Sequence, residues 1–320
     1  MDPQEDDRPV RRLPACPRLH PFRIAALWVL AVLILLGASS VAVGALYVYD
    51  IRSTELLMDE KQTELKIGYG PRLMVMDANV RYTGGWMQRL FGEVKQERHT
   101  TLIVLDQDQV REISWENWTV TVLPLDRLRD AAWVREKTSP EPEAEGHLSG
   151  RYQPVEPVLS VEEHPHAEHV DGYACRKVEA KLRLETRDTR RNATSVTHVK
   201  QVLWLTEDVA GYADRREAHR ELASKLGLDA GRIGSLSFIL RYWPGSLEPV
   251  RELVDRARGV FVKSLLTVDA EYTSGIGSNA PRTTTRRLKE ELIQLKSVGS
   301  DPLDRSVFDA PPQFRTVVLE

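Results

Sequence analysis

Between residues 177 and 185 the chain reads Lys-Val-Glu-Ala-Lys-Leu-Arg-Leu-Glu, and this strict alternation limits its fold more than any other feature. Side chains alternate across a strand, so Val178, Ala180, Leu182 and Leu184 share one face while Lys177, Glu179, Lys181, Arg183 and Glu185 share the other. A strand with one apolar and one fully charged face belongs to an antiparallel sheet wetted on one side. The scheme recurs along the chain. Met74, Met76, Ala78, Val80 and Tyr82 alternate with Val75, Asp77, Asn79 and Arg81. Trp118, Val120 and Val122 alternate with Thr119 and Thr121, and Leu266, Val268, Ala270 and Tyr272 with Thr267, Asp269 and Glu271.

Residues 214–258 follow the helical period instead. Asp214 is placed to cap with Glu217, Ala218, Leu222 and Leu226 share a face, and Gly227 ends the turn. Two further helical segments follow, one before and one after Trp243-Pro244-Gly245. The apolar sides of these helices must cover something, and the one-faced sheet is the available surface. Residues 137–150, rich in Pro, Glu and Gly, read as a solvated loop. Residues 286–298 read locally as helix, with Leu288, Leu292 and Leu295 at helical spacing.

No residue between 24 and 49 is charged. As a helix this run would extend about 39 Å, enough to cross a bilayer core of about 30 Å. Arg8, Arg11, Arg12, Arg18 and Arg23 precede it, whereas Arg52 and Lys61 are the only basic residues soon after, which keeps the N-terminus in the cytoplasm. Val43-Gly44-Ala45 also resembles a small-residue cleavage site, so a removed signal peptide is a second reading. The length of the run, beyond the usual h-region of about 7–15 residues, favours an uncleaved anchor. The expected organisation is a cytoplasmic tail at 1–23, a transmembrane anchor at 24–49, a helical stem at 50–69 and an extracytoplasmic domain at 70–320. The marked use of Arg over Lys favours a bacterium, hence the inner membrane with the domain in the periplasm. Cys16 and Cys175 then stand on opposite sides of the membrane and cannot pair, leaving Cys175 a lone buried thiol. A net charge of -3 gives no electrostatic case for nucleic acid.

One segment carries candidate chemistry. Residues 161–177 hold His164, His166, His169, Glu162, Glu163, Glu168 and Cys175, donor types suited to zinc or copper. An irregular segment around Pro165 fixes no ligand geometry, so a solvated loop beside a buried thiol is the preferred reading. Enzyme signatures are missing: there is no Gly-x-Ser-x-Gly elbow, no His-Glu-x-x-His pair and no phosphate-cradling glycine loop. Paired carboxylates such as Asp126 with Asp130, or Glu290 with Glu291, sit among Arg and Lys and read as exposed ion-pairing surface. Trp115, Trp118 and Trp133 suit either a ligand cavity or a core.

Several motifs together resemble a known group. Gly172-Tyr173-x-Cys175-x-Lys177 opens an alternating strand, a following strand ends in Trp204-Leu205-Thr206, a helical insertion comes next, and Phe308-x-x-Pro311-x-x-Phe314 closes the chain. Over roughly residues 70–316 this resembles an uncharacterised family of exported bacterial proteins related in fold to the LolA/LolB-like lipoprotein carriers. The resemblance implies an α+β domain: a strongly curved antiparallel sheet, an unclosed half-barrel, with an apolar concave face lidded by helices. It also implies that residues 283–298 form a late strand paired with 260–272, overriding the local helical pattern. On such a fold the concave face would be carried by Val80, Tyr82, Trp118, Val120, Val178, Leu182, Leu184, Trp204, Leu266 and Val268. The implied function is non-catalytic and cofactor-free: binding of a lipid or lipoprotein acyl chain by a domain tethered to the membrane through residues 24–49. A tethered domain cannot shuttle as the carriers do. The alternatives are an envelope interaction or structural protein whose half-barrel is filled by its own side chains, with other envelope proteins as partners, and a metal-binding protein acting through His164, His166 and His169.

Overall fold

Tyr47, Tyr49 and Ile51 alternate with Val48, Asp50 and Arg52 in strand β1 (Ala45–Glu55), and Leu65, Ile67 and Tyr69 alternate with Glu64, Lys66 and Gly68 in β2 (Glu60–Gly70). The two strands pair antiparallel, Tyr47 opposite Ile67 and Tyr49 opposite Leu65. The computed structural model describes residues 44–56, 60–70, 72–83, 96–130, 133, 151–227, 257–274, 282–299 and 308–319, all within the compact unit Val41–Glu320. The expected helical stem at 50–69 is therefore a β-hairpin, and residues 45–49, expected as the end of a transmembrane helix, open its first strand. Period-two placement of aromatic and β-branched residues outweighs helix propensity here because both strands gain a buried face. Residues 24–43 lie outside the described residues, and among the described residues no helix is long and apolar enough to cross a membrane.

The hairpin continues as a meander through β3 (Leu73–Thr83), β4 (Gln96–Val104), β5 (Gln109–Ser114) and β6 (Thr119–Pro124). Short strands β7 (Tyr152–Pro154), β8 (Val158–Glu163) and β9 (Glu168–Val170) line the outer edge of the long β10 (Tyr173–Asp188), which pairs with β11 (Ala193–Thr206). After helix α1 (Tyr212–Leu226) come β12 (Val260–Ser274) and β13 (Arg282–Gly299). Pairing of β13 with β1 joins the two halves, giving the order β14-β6-β5-β4-β3-β2-β1-β13-β12-β11-β10-β7. The terminal β14 (Arg315–Val318) adds to β6 in the one parallel pairing among the described strands. The path does not return on itself. An unclosed, curved, mostly antiparallel sheet with a helix against it is the architecture the motifs implied.

Strand β13 shows why local pattern misleads. Its leucines at 288, 292 and 295 sit at helical spacing, yet the sheet buries Glu291, Ile293 and Leu295, two residues apart. Both its edges are paired, to β12 and to β1, so two ladders of backbone hydrogen bonds decide its state.

Helix α1 begins at Gly211 rather than at a cap on Asp214, and ends, as expected, at Gly227, whose φ of 65° places it in the left-handed region. Gly211 is required twice over. Its φ is 72°, and a Cβ there would meet the Ala45 Cβ at 2.1 Å. The helix packs on β1 and β2 with Ala218, Leu222 and Ala223 buried. The other expected helical segments, at 228–256, lie outside the described residues, as does the 137–150 loop.

The sheet has two cores, one on each face. The larger lies on the inner face beneath α1 and runs from Ile103 and Met74 through Tyr47 to Leu203 and Val178. A smaller one on the outer face gathers Val75, Leu102, Val104, Ile113, Val120 and Phe308. This corrects the one-sided reading of β3. Val75 and Asp77, assigned to its wetted face, are buried, whereas Met76, Ala78, Val80 and Tyr82 are only half-buried. The closing Phe308-x-x-Pro311-x-x-Phe314 motif is the cover: the Phe314 ring lies 5.6 Å from Trp115 and 5.7 Å from Trp118.

Candidate functional site

Directly paired residues of a sheet share a face, so the register lays out the inner face as rows crossing the strands. One row runs Leu182, Val199, Val268, Lys289, Glu55. The next runs Val161, Ala180, Gln201, Leu266, Glu291, Ser53, Lys61, Tyr82. A third runs Val178, Leu203, Ser264, Ile293, Ile51, Thr63, Val80. In these three rows the inner face is apolar over β10 to β12 except for the buried pair Gln201 and Ser264, bonded at 3.2 Å. At β13 and β1 the first two rows turn polar.

The polar strip is built around Lys289. Its Nζ lies 3.0 Å from Glu55 Oε1 and 3.0 Å from Glu291 Oε2. Burial works to lower the Lys289 pKa, but Glu291 and Glu55 outweigh it and hold the ammonium above its ordinary value. Ser53 stands directly opposite Glu291 and is buried, its Oγ without a hydrogen-bond partner among the described residues. Glu291, expected as exposed ion-pairing surface beside Glu290, is buried on this face. Glu290 does pair at the surface, with Arg287.

A second polar group lies under the helix. Arg215 Nη1 donates to Gly259 O at 2.9 Å and Nε to Tyr69 Oη at 3.4 Å. Tyr47 meets Tyr69 edge-on at 5.6 Å, Tyr49 lies 5.0 Å from Phe261, and His219 meets Tyr69 edge-on at 5.3 Å. Burial pushes the Tyr47 and Tyr49 phenols up, and burial together with the Arg215 charge pushes His219 down to about 3, so the imidazole is neutral near pH 7.

Of the residues expected on the concave face, Val80, Tyr82, Val178, Leu182, Leu184, Leu266 and Val268 lie on the inner face. Three do not. Trp118 is a turn residue at φ 54°, 56% exposed, stacked on Phe314. Val120 belongs to the outer-face core. Trp204 faces outward between the ammonium groups of Lys177 and Lys263, at 5.4 and 4.9 Å from its ring, and donates from Nε1 to Glu168 Oε2 at 2.6 Å. Trp204 follows the inward Leu203 by ordinary alternation and so faces outward, Trp118 precedes its strand, and the apolar set of β6 keeps its alternation but faces the outer core.

The His-rich segment turns from β8 through β9 into β10. His164 N donates to Lys177 O at 2.9 Å, His166 and His169 are exposed, Glu168 is committed to Lys177 and Trp204, and Cys175 is buried with burial raising its thiol pKa. Among the described residues no three His, Cys, Asp or Glu side chains come together in a way that could hold a metal ion. On the outer face a groove of about 690 Å3 opens over Asp50, Gln62, Glu64, Asn79, Arg81 and Arg98. Its lining is polar and largely self-paired, Gln62 to Asp50 at 3.3 Å and Arg98 to Asp77 at 2.9 Å, which does not suit an apolar ligand.

Fold and inner face together define an unclosed antiparallel half-barrel with an amphipathic interior. No protein-family model matches the chain, and no curated protein matches it. Among solved structures it is similar to the crystal structure of a LolA superfamily protein from Nitrosomonas europaea, at 10% identity and a TM-score of 0.22, over 87% of this chain and 97% of that chain.

Proposed function

We propose that this chain is a non-catalytic, extracytoplasmic binding protein for a lipid or lipoprotein acyl chain, held at a bacterial inner membrane by its N-terminal apolar run. The observation that carries the reading is the open sheet whose inner face is apolar across β10, β11 and β12 and bordered by charge at β13 and β1. Alkyl surface laid on such a floor gains about 0.8 kcal/mol for each buried methylene, with no chemistry required. With residues 45–49 assigned to β1, the uncharged run at 24–43 still extends about 30 Å as a helix, enough for one crossing. Burial of Ala45 at 1% supports an uncleaved anchor, because cleavage after Ala45 would remove a core residue and leave a charged amine at Leu46 inside the sheet.

A second reading has its own support. Val178, Leu182, Leu266 and Val268 are 0–4% exposed, as expected of a half-barrel filled by its own side chains and serving as an envelope interaction or structural module. Mass spectrometry of full-length protein extracted in mild detergent separates the two. A stoichiometric co-purified lipid is expected, and its consistent lack across several detergents would favour the self-filled module.

A further inference from the structure

Arg215 carries a charge to the aromatic end of the inner face without an acid beside it. Of its five N–H groups, Nε is used on Tyr69 Oη at 3.4 Å and Nη1 donates to Gly259 O at 2.9 Å. Among the described residues no carboxylate pairs with it. Asp214, next to it in the chain, is exposed, and its side chain lies against Gly44. An arginine drawn out of water is normally matched by an acid, because an unpaired charge there is costly. Two further donors stand beside it without acceptors. Tyr47 spends its O–H on Ala210 O at 3.1 Å, but Tyr69 only accepts, and its own O–H meets no acceptor among the described residues. His219, one turn after Arg215 on the same side of α1, is edge-on to Tyr69 at 5.3 Å and makes no hydrogen bond among the described residues. Its imidazole is neutral and so holds one ring N–H. Arg215 and His219 are half-buried rather than sealed. The group adjoins the apolar floor: Tyr49 stands opposite Leu295, Phe261 opposite Leu205, and Ile293 and Leu203 follow two residues along β13 and β11. From Phe261 to Leu266, β12 runs about 16 Å at roughly 3.3 Å per residue.

We propose that Arg215, Tyr69 and His219 receive the carboxylate of an amphiphile with a free acid head, while its alkyl tail runs over Tyr49, Phe261 and Ile293 onto Leu266. The assignment rests on the acyl-binding reading and narrows its ligand class to free fatty acids over esterified chains. A guanidinium presents its N–H groups as a fork that matches a carboxylate, and hydrogen bonds between charged partners are about twice as strong as neutral ones. The acid also supplies the acceptors that the Tyr69 O–H and the His219 N–H lack. An ammonium head would meet the fixed charge of Arg215 in a low-dielectric setting and be repelled.

The test uses full-length protein in phosphatidylcholine nanodiscs loaded with the neutral dye 1-N-phenylnaphthylamine, with empty discs as the blank. Dodecanoate, its methyl ester and dodecylamine are compared as displacers at neutral pH. Dodecanoate is expected to displace the dye at a concentration about tenfold below that of either competitor, the effect of one hydrogen bond to a charged group. Arg215→Met should bring dodecanoate and its ester close to parity. Tyr69→Phe keeps the ring and removes the O–H, so it should reduce the preference by a smaller factor, and it carries the test if Arg215→Met unfolds. Equal or stronger displacement by the ester or the amine, or a preference untouched in a folded variant, overturns the carboxylate assignment alone. No dye binding by the wild type overturns the acyl-binding reading, and this assignment with it.

Discussion

Arg215, on the inner side of α1, donates from Nη1 to the backbone oxygen of Gly259 at 2.9 Å, tying the helix to the entry of β12. The same guanidinium reaches Tyr69 Oη on β2 at 3.4 Å, so one side chain joins both halves of the sheet. Arg215→Met keeps the stem and removes the donors to Gly259 and Tyr69. Unfolding in guanidinium chloride should show a loss of about 1.5–3 kcal/mol. Arg215→Lys should not fully restore it, because an ammonium does not reproduce the two-directional fork.

The neighbouring His219 predicts a pH dependence. Its folded pKa is depressed to about 3 by burial and by Arg215, against about 6.5 for an unfolded histidine. Between those values the unfolded chain binds a proton that the folded chain does not. The contribution is therefore fully present above about pH 6.5 and is lost as pH falls towards 3, by up to about 1.4 kcal/mol per unit. Carboxylates such as Asp188, held down to about 2 by Arg151, act mainly below about pH 4.5, so comparison of pH 7 with pH 5 reads histidines, and the His219 variant isolates this one. His219→Leu should flatten stability between those two pH values, and an unchanged slope would mean that the imidazole is solvated.

How much of this is legible in the sequence depends on whether a strand has one buried face or two. The inward set of β10, Val178, Ala180 and Leu182, follows from alternation because its opposite face is charged throughout. In β3 alternation misassigns Val75 and Asp77, since Phe308 and Phe314, far along the chain, cover the outer face there. The polar strip escapes sequence reading for a related reason. Glu291 is adjacent to Glu290 and reads as surface until β13 is known to be a strand, after which Lys289, Glu291, Ile293 and Leu295 fall on one face. The signal was present as period two in residues 289–295, but the leucines at 288, 292 and 295 mask it. The first hairpin is hidden because residues 45–49 prolong an uncharged run and so read as membrane helix.

The contact between Ala45 and Gly211 makes a sharp test of that hairpin. Alanine at 211 would need φ near 72° and would drive its Cβ into that of Ala45. Gly211→Ala should cost more than about 2 kcal/mol, measured as a lowered midpoint of thermal or denaturant unfolding, whereas Gly172→Ala, at φ 87° with open space around it, should cost less. The burial of Ala45 also predicts processing. Intact-mass analysis of protein purified from the membrane should retain residues before Gly44, and a mature N-terminus at Leu46 would remove the anchor.

Leu182 decides how tightly the apolar floor is closed. It is 2% exposed and stands directly between Val199 on β11 and Leu159 on β8, with the apolar face of β10 on either side of it. A carboxylate placed there has no cationic neighbour in its own row nearer than Lys289, three strands away. Leu182→Asp is therefore expected to unfold the domain, as an unpaired buried charge is among the costliest single changes. Leu182→Ala, which leaves a void without a charge, should cost about 2–5 kcal/mol and leave a folded protein. Circular dichroism reports folding, and binding of the neutral naphthylamine dye reports the floor. If Leu182→Asp stays folded and loses only the dye, the row borders space that water enters when no ligand is bound, and the inner face is a cavity rather than a filled core. If Leu182→Asp unfolds while Leu182→Ala retains the dye, ligand and core share the floor, with Leu182 on the side of the core.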